Sequence, residues 1–280
     1  MQSTLTDIRV TKIAGALGAE ITGIDLTQTI TDNLFSSIKN AFLAHQVIFF
    51  RDQDISPAQH HALASRFGPL QAHPAYPHIE GYPELTILES TPENPTKIEK
   101  WHTDMTFGPR PPMGSILHGV ELPPFGGDTM WSSMSAAFEG LSLKMQEFLE
   151  GLTAVHDFAF GFKESLAEPG GPERLQQAMA ANPPVVHPVI RTHPETGKKG
   201  IFVNSLFTRN IAELSSNESD NLLSFLYKHS IQPEFTCRFR WEKNSIAIWD
   251  NRITQHKPIN DYFPNYRRMQ RITIDGDKPY

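Results

Sequence analysis

The sequence predicts a mainly β architecture with flanking helices, of the jelly-roll or barrel type, on three observations. Short apolar runs rich in β-branched and aromatic residues recur along the chain, mostly bounded by Pro, Gly, Asn or Asp. Helical patterns are fewer, and several carry their own start and stop signals. The order lacks the strict βαβα alternation of a doubly wound sheet, and no GxGxxG or Walker-type loop offers a nucleotide site.

Taken in order, the expected strands are Gln46–Phe50, Leu85–Leu88, Ser115–Val120, Val185–Arg191, Gly200–Val203, Thr236–Trp241, Ser245–Trp249 and Arg271–Ile274. The first expected helix covers Thr31 to His45, where Leu34, Ile38 and Phe42 recur at helical spacing. A second follows Ser56-Pro57, an N-cap with proline at the first helical position, and stops at Gly68. Ser142 to Gly151 is a short third. Ser215 with Glu218 forms a capping-box pattern ahead of Leu222, Leu223, Phe225 and Leu226. The stretch from Ala159 to Pro184 contains Pro169-Gly-Gly-Pro172 and reads as a loop-rich insertion, either a lid or a surface excursion.

A chain of 280 residues with 39% hydrophobic and 20% charged residues is globular in composition, and its length fits one domain over 1–280. The net charge of −6 speaks against a nucleic-acid partner. Cys237, the single cysteine, cannot form an internal disulfide. Together with the absence of a signal-like start and of any apolar run of membrane-spanning length, this gives a cytoplasmic expectation with no membrane partner.

The chemistry begins at Trp101-His102-Thr103-Asp104. In an extended run, His102 and Asp104 share a face and can meet one ion, with Thr103 turned away. An imidazole beside a carboxylate suits Fe(II), and one more histidine would complete a 2-His-1-carboxylate triad with an open coordination face. His256, beyond the strand-like Ser245–Trp249, is the best third ligand. The tripeptide alone carries little, because twelve histidines make chance pairings common. His45, His60, His61 and His229 fall on expected helices and are read as surface or hydrogen-bonded core residues.

After His256 comes Tyr266-Arg267-Arg268-Met269-Gln270-Arg271-Ile272-Thr273-Ile274. On a strand, Arg267, Met269 and Arg271 share one face, so two guanidinium groups would project together. Arginine grips carboxylates and sulfonates through paired, charge-assisted hydrogen bonds. Two like charges brought together in an interior need anions to neutralise them. A solvated edge strand with protective cations is the other reading. Gly126-Gly-Asp-Thr129 adds a hydroxyl after a tight turn, equally readable as an ordinary turn before a strand.

Together these residues resemble the taurine dioxygenase family of Fe(II)- and 2-oxoglutarate-dependent oxygenases. The likeness runs through GALGAEITGIDL, HQVIFFRDQ, HPAYPH, WHTDMTF, GGDTMWSS, NPPVVHPVIRTHP, FVNSLFT, IAIWDNRITQH and RRMQRITIDGDKP, which cover nearly the whole chain in order. It implies a double-stranded β-helix, a distorted jelly roll. It also implies His102, Asp104 and His256 as iron ligands and catalytic residues, Arg267 and Thr129 on the distal carboxylate of 2-oxoglutarate, and O₂ as oxidant. Arg271 and His73 match positions that grip a substrate sulfonate, Tyr76 an aromatic position near the metal, and Phe158 and Phe207 the pocket wall. A dimer or tetramer is the expected assembly.

The implied reaction hydroxylates a small anionic substrate, taurine or a related organosulfonate, with release of sulfite, succinate and CO₂. One position departs from the pattern. Taurine-specific members carry an asparagine four residues before the first iron histidine, where it meets the substrate amine; here that residue is Ile98. Isoleucine offers no hydrogen bond, and an unpaired ammonium in a closed pocket is costly. An alkyl sulfate ester or an aryloxy or carboxylic acid therefore stands as the alternative substrate. Asp104 keeps the carboxylate ligand that related halogenases lack. A zinc-dependent hydrolase using the same triad is the competing class, and a non-catalytic anion-binding barrel a third.

Overall fold

The computed structural model describes residues 8–72, 76–96 and 98–280. Its largest sheet runs Arg9–Lys12, Ala19–Thr22, Val47–Phe50, Ile246–Asp250, Gly114–Glu121, Arg267–Ile274, Tyr82–Ser90 and His78–Ile79, with Leu70–Gln71 paired to the far end of Arg267–Ile274. Facing it is a three-stranded sheet in the order Thr236–Phe239, Thr129–Ser133, Thr254–Pro258. Smaller sheets join Val185–Pro188, Thr153–His156 and Thr208–Ile211, and Ile190–Thr192 with Lys199–Ile201.

Side-chain alternation explains why the central strands read as unbroken apolar runs: both faces of the large sheet are covered. Val47, Phe49, Ala247, Trp249, Leu117 and Met269 point inward against Trp131, Cys237 and Phe239 of the facing sheet. Ile48, Phe50, Ile246, Ile248, Ile116, Ile272 and Ile274 point outward, under Ile38 and Phe42 of helix Asp32–His45 and Leu63 of helix Pro57–Ser65. A third core gathers helices Met134–Glu139, Leu143–Glu150 and Ser216–Ser230 around Val189, Ile190 and Ile201.

The expected helices form with their caps. Thr31, Ser56, Ser142 and Ser215 stand at the N-caps, and Ser56 closes a full capping box with Gln59 that the sequence reading omitted. Three expectations are corrected. The segment 159–184 is helical, not loop: Phe158–Gly161, Lys163–Leu166 and Gly171–Ala181 follow one another, and Gly170-Gly171-Pro172 starts the last helix instead of breaking one. Val185–Arg191 is not one strand. It divides into Val185–Pro188 and Ile190–Thr192, in different sheets, because Pro188 has no N–H to continue a ladder. The run at His102 is not a regular strand; His102 makes a single bridge to His256, and Asp104 sits in the turn that follows.

Of the two places the sequence allows His60, surface or hydrogen-bonded core, the fold takes the core: it is fully buried, with Nε2 3.3 Å from the Ile116 carbonyl. Burial, then the nearby His118, pulls its pKa from 6.5 down to about 3. A histidine held neutral in the folded chain but free to charge when unfolded makes stability rise with pH between about 3 and 6.5. That stability is lost as the medium is acidified through this window, by about 1.4 kcal/mol per pH unit. Urea midpoints measured from pH 7 to pH 5 should therefore fall less steeply in His60→Asn than in the parent. Equal slopes would exclude His60 as a source of acid lability.

Candidate metal and cosubstrate site

Three elements bring the predicted ligands together. The His102 N–H donates to the His256 carbonyl at 3.0 Å, and the His256 N–H donates back to His102 at 2.8 Å, so one backbone bridge fixes both histidines. Their ring centroids lie 4.2 Å apart. Asp104 Oδ1 lies 3.5 Å from His102 Nε2 and 3.8 Å from His256 Nε2. One ligand atom from each residue falls within 4.8 Å of the other two, and all three residues are buried.

The ring nitrogens are prepared for this role. His102 Nδ1 lies 2.8 Å from the Lys100 carbonyl. A carbonyl only accepts, so Nδ1 carries the proton and Nε2 offers its lone pair toward Asp104. Burial, aided by the neighbouring His102, takes the His256 pKa down to about 3 against the pull of Asp104, so this imidazole is neutral near pH 7. Burial pushes the Asp104 pKa up, but the neighbouring His256 and Arg271 outweigh it and hold the carboxyl well below the usual range. Since His256 is neutral there, the lasting cation is Arg271, whose Nη1 stands 3.6 Å from Asp104 Oδ2. Two imidazole nitrogens and one ionised carboxylate are the donor set a divalent metal requires.

A residue that sequence reasoning missed holds Asp104 in place. Asn251 Oδ1 accepts from the Asp104 N–H at 2.8 Å, and Asn251 Nδ2 donates to the Asp104 and Pro112 carbonyls at 3.1 Å each. Thr103 Oγ1 donates to the Thr254 carbonyl at 2.9 Å, tying the same turn to the His256 strand. Met105, next in line, has φ 51°, a left-handed conformation uncommon outside glycine. Asn251 lies between Asp250 and Arg252 in a segment that reads as an ordinary turn, so only the fold reveals its work. Asn251→Ala should weaken Mn(II) binding about 10- to 100-fold in a calorimetric titration. Unchanged affinity would mean that the turn holds its shape without this clamp.

The arginine face also forms as expected. Strand Arg267–Ile274 buries Met269 on the inner side and Ile272 and Ile274 on the outer, which places Arg267 and Arg271 inward. Arg267 Nη2 donates to the Gly127 carbonyl at 3.2 Å, while its buried Nε has no hydrogen-bond partner among the described residues. Burial pulls its pKa down against the influence of Tyr262 and Asp128. Gly126 and Gly127 both have φ 70°, and a Cβ on Gly127 would stand 3.3 Å from Arg267 Nε, so the Gly-Gly pair supplies both the turn and the close approach. Thr129 begins the strand leaving this turn and is buried; its Oγ1 accepts from Trp241 Nε1 at 3.0 Å.

The comparisons with known proteins bear on this arrangement. Residues 9–273 match the family model described as taurine catabolism dioxygenase TauD, TfdA family. The chain belongs to the TauD/TfdA dioxygenase family. It is a 2-oxoglutarate-dependent dioxygenase, and the family's chemistry calls for a metal, for which His102, Asp104 and His256 are a fitting donor set. Among its relatives is an alkylsulfatase from Acinetobacter baylyi, 34% identical over 281 residues, covering 99% of this chain and 88% of that protein. An alpha-ketoglutarate-dependent sulfate ester dioxygenase from Pseudomonas putida is also 34% identical, covering 98% of this chain and 91% of that one. In structure the chain resembles a taurine dioxygenase from Burkholderia xenovorans, with a TM-score of 0.84, 36% identity, and coverage of 97% and 90% of the two chains. These neighbours share the double-stranded β-helix.

The remaining TauD-family positions divide. Phe158 and Phe207 are buried with Phe107 in one cluster, Phe107 standing 5.1 Å from Phe158 and 5.0 Å from Phe207 between ring centroids. Met105, Phe162, Leu175 and Met179 pack against it, so the helices of 158–181 and the turn after Asp104 form one apolar mass. Asn204 anchors this mass, accepting from the Leu206 and Phe207 N–H groups and donating to Thr106 Oγ1. Ile98 is half-buried, and its carbonyl accepts from Asn260 Nδ2 at 3.0 Å. Tyr76 is exposed. His73 lies outside the described residues.

Proposed function

We propose that the chain oxidises alkyl sulfate esters bearing an apolar tail, using Fe(II), 2-oxoglutarate and O₂. The observation that carries this reading is the Phe107–Phe158–Phe207 cluster continuous with Met105, beside the candidate ligand Asp104. Such a wall favours methylenes and offers nothing to an ammonium group. Ile98, at the position where the resemblance puts an amine-binding asparagine, points the same way. The alkylsulfatase and sulfate ester dioxygenase among the relatives support it.

In this reading His102, Asp104 and His256 hold the iron. Bound iron and 2-oxoglutarate supply the oxidising power for hydroxylation, with succinate and CO₂ as coproducts. Arg267 and Thr129 hold the far carboxylate of 2-oxoglutarate, and Arg271, with His73, holds the anionic head of the substrate. The aromatic wall orients the tail and excludes water. Hydroxylation of the carbon bonded to the ester oxygen gives a hemiacetal sulfate; its C–O bond to sulfate breaks, leaving an aldehyde and hydrogen sulfate. The same architecture supports a single catalytic domain over 1–280, since the family match spans nearly all of it. A homo-oligomer and a cytoplasmic location complete the proposal. No helix among the described residues is long and apolar enough to cross a membrane.

The test is a panel of linear alkyl sulfates, alkylsulfonates, an aryloxy acid and taurine, with Fe(II), 2-oxoglutarate and O₂, reading succinate and the released anion. Alkyl sulfates should lead, with kcat/KM rising about fourfold per added methylene, the worth of ~0.8 kcal/mol of buried CH₂. Taurine as the best substrate would overturn the reading. Sulfate released by the zinc-loaded protein without O₂ or succinate would instead identify a hydrolase.

A further inference from the structure

We infer that Trp241 is a positioning residue for the cosubstrate: its indole N–H takes one lone pair of Thr129 Oγ1, so that the threonine proton is directed at the distal carboxylate of 2-oxoglutarate. This rests on the reading of Thr129 and Arg267 as the carboxylate site, and it adds a residue that the sequence treats only as the end of a strand.

The Trp241–Thr129 contact fixes which group donates and which accepts. A threonine hydroxyl has one proton and two lone pairs, and left alone it rotates to donate or accept as its surroundings allow. An indole N–H has no lone pair available and can only donate. Trp241 Nε1 lies 3.0 Å from Thr129 Oγ1, and both residues are buried. At this contact Thr129 must accept, and its own proton has to point elsewhere. Among the described residues no acceptor takes that proton. A buried hydroxyl donor without an acceptor is unfavourable, and an anion arriving at this place relieves it. The threonine state that Trp241 favours is thus one able to donate to a carboxylate.

Neighbouring groups agree with this. Arg267 reaches the same turn, donating to the Gly127 carbonyl two residues before Thr129, and keeps its buried Nε unpartnered among the described residues. Beside one turn, therefore, a hydroxyl proton and the Arg267 Nε–H are donors without an acceptor among the described residues. Trp241 is itself held rigidly: its ring meets Phe239 edge to face at 5.1 Å and Trp131 at 6.5 Å, and Phe239 pairs with Thr129 across the facing sheet. The indole cannot swing to another acceptor without disturbing this core, so the hydroxyl is oriented before the cosubstrate arrives.

The experiment is an anaerobic calorimetric titration of the Mn(II)-loaded protein with 2-oxoglutarate, for the parent, W241F, T129S, T129V, W241F/T129S and W241F/T129V. Phenylalanine keeps most of the ring packing and removes the N–H. W241F is expected to weaken 2-oxoglutarate about fivefold in the parent and in the T129S background, the scale of one hydrogen bond, and to add nothing in the T129V background. KM for 2-oxoglutarate should rise in parallel, with kcat nearly unchanged. Equal weakening by W241F with and without the hydroxyl would overturn the inference, because Trp241 would then act through packing alone. So would full affinity in W241F alongside weakened binding in T129V. If T129V itself binds 2-oxoglutarate as the parent does, the assignment of Thr129 fails, and the role of Trp241 fails with it.

Discussion

Arg267→Ala is expected to raise the KM for 2-oxoglutarate roughly 100-fold or more while leaving the affinity for Mn(II) within a few-fold. The guanidinium is largely withdrawn from water; among the described residues it has one neutral carbonyl as a hydrogen-bond partner, lies over the Tyr262 ring, and keeps a buried Nε without an acceptor. A desolvated cation facing a carboxylate commonly loses on the order of 2–5 kcal/mol when one partner is truncated, and each 1.4 kcal/mol is a factor of ten. Arg267→Lys should recover part of the loss, because it restores the charge without the planar fork that a carboxylate fits. Steady-state kinetics with 2-oxoglutarate varied at saturating substrate provide the check. A KM near that of the parent in Arg267→Ala would place the cosubstrate carboxylate elsewhere.

Arg271→Ala should do the reverse, although it stands on the same face of the same strand. Its side chain is 14% exposed and lies beside Asp104, with Nη1 3.6 Å from Oδ2. Before a metal is bound, Arg271 is the lasting cation close to that carboxylate; once Asp104 is committed to a metal, the guanidinium is available to a substrate anion. The KM for an alkyl sulfate should therefore rise roughly 100-fold, while 2-oxoglutarate binding to the Mn(II) form changes only a few-fold. The two variants together separate the anion sites: one substitution moves the cosubstrate constant, the other the substrate constant. Arg271→Ala kinetics in which both constants move equally would mean one shared anion site.

Much of this was readable from residue order, for a physical reason. Strand alternation is strict, so Arg267, Met269 and Arg271 had to share a face, and the burial of Met269 makes that face the inner one. Capping signals are local as well, and Ser56 and Ser215 stand at the N-caps where their sequences place them. What residue order does not show is mostly contact made across long separations. Asn251 clamps Asp104 from 147 residues away, and nothing in Asp250-Asn251-Arg252 marks that role. Trp241 meets Thr129 only because two strands of the facing sheet are neighbours. His102 and Asp104 converge through a backbone bridge and a turn containing a left-handed Met105, a conformation with no sequence signal at methionine. The stretch 159–184 misled because Pro and Gly were read as breakers, when Gly170 and Pro172 begin a helix. Leu175 and Met179 of that helix then pack against the Phe107–Phe158–Phe207 cluster.

His102, Asp104 and His256 are brought together as one candidate metal site. Its most direct test is an anaerobic titration of the metal-free protein with Fe(II), repeated with His102→Ala, Asp104→Ala and His256→Ala, with circular dichroism confirming that each variant is folded. One equivalent per chain should bind the parent, and each substitution should weaken that binding by at least about 100-fold, more than the loss expected from removing a residue that only supports a ligand. A folded variant of any of the three that binds Fe(II) as tightly as the parent would contradict the site.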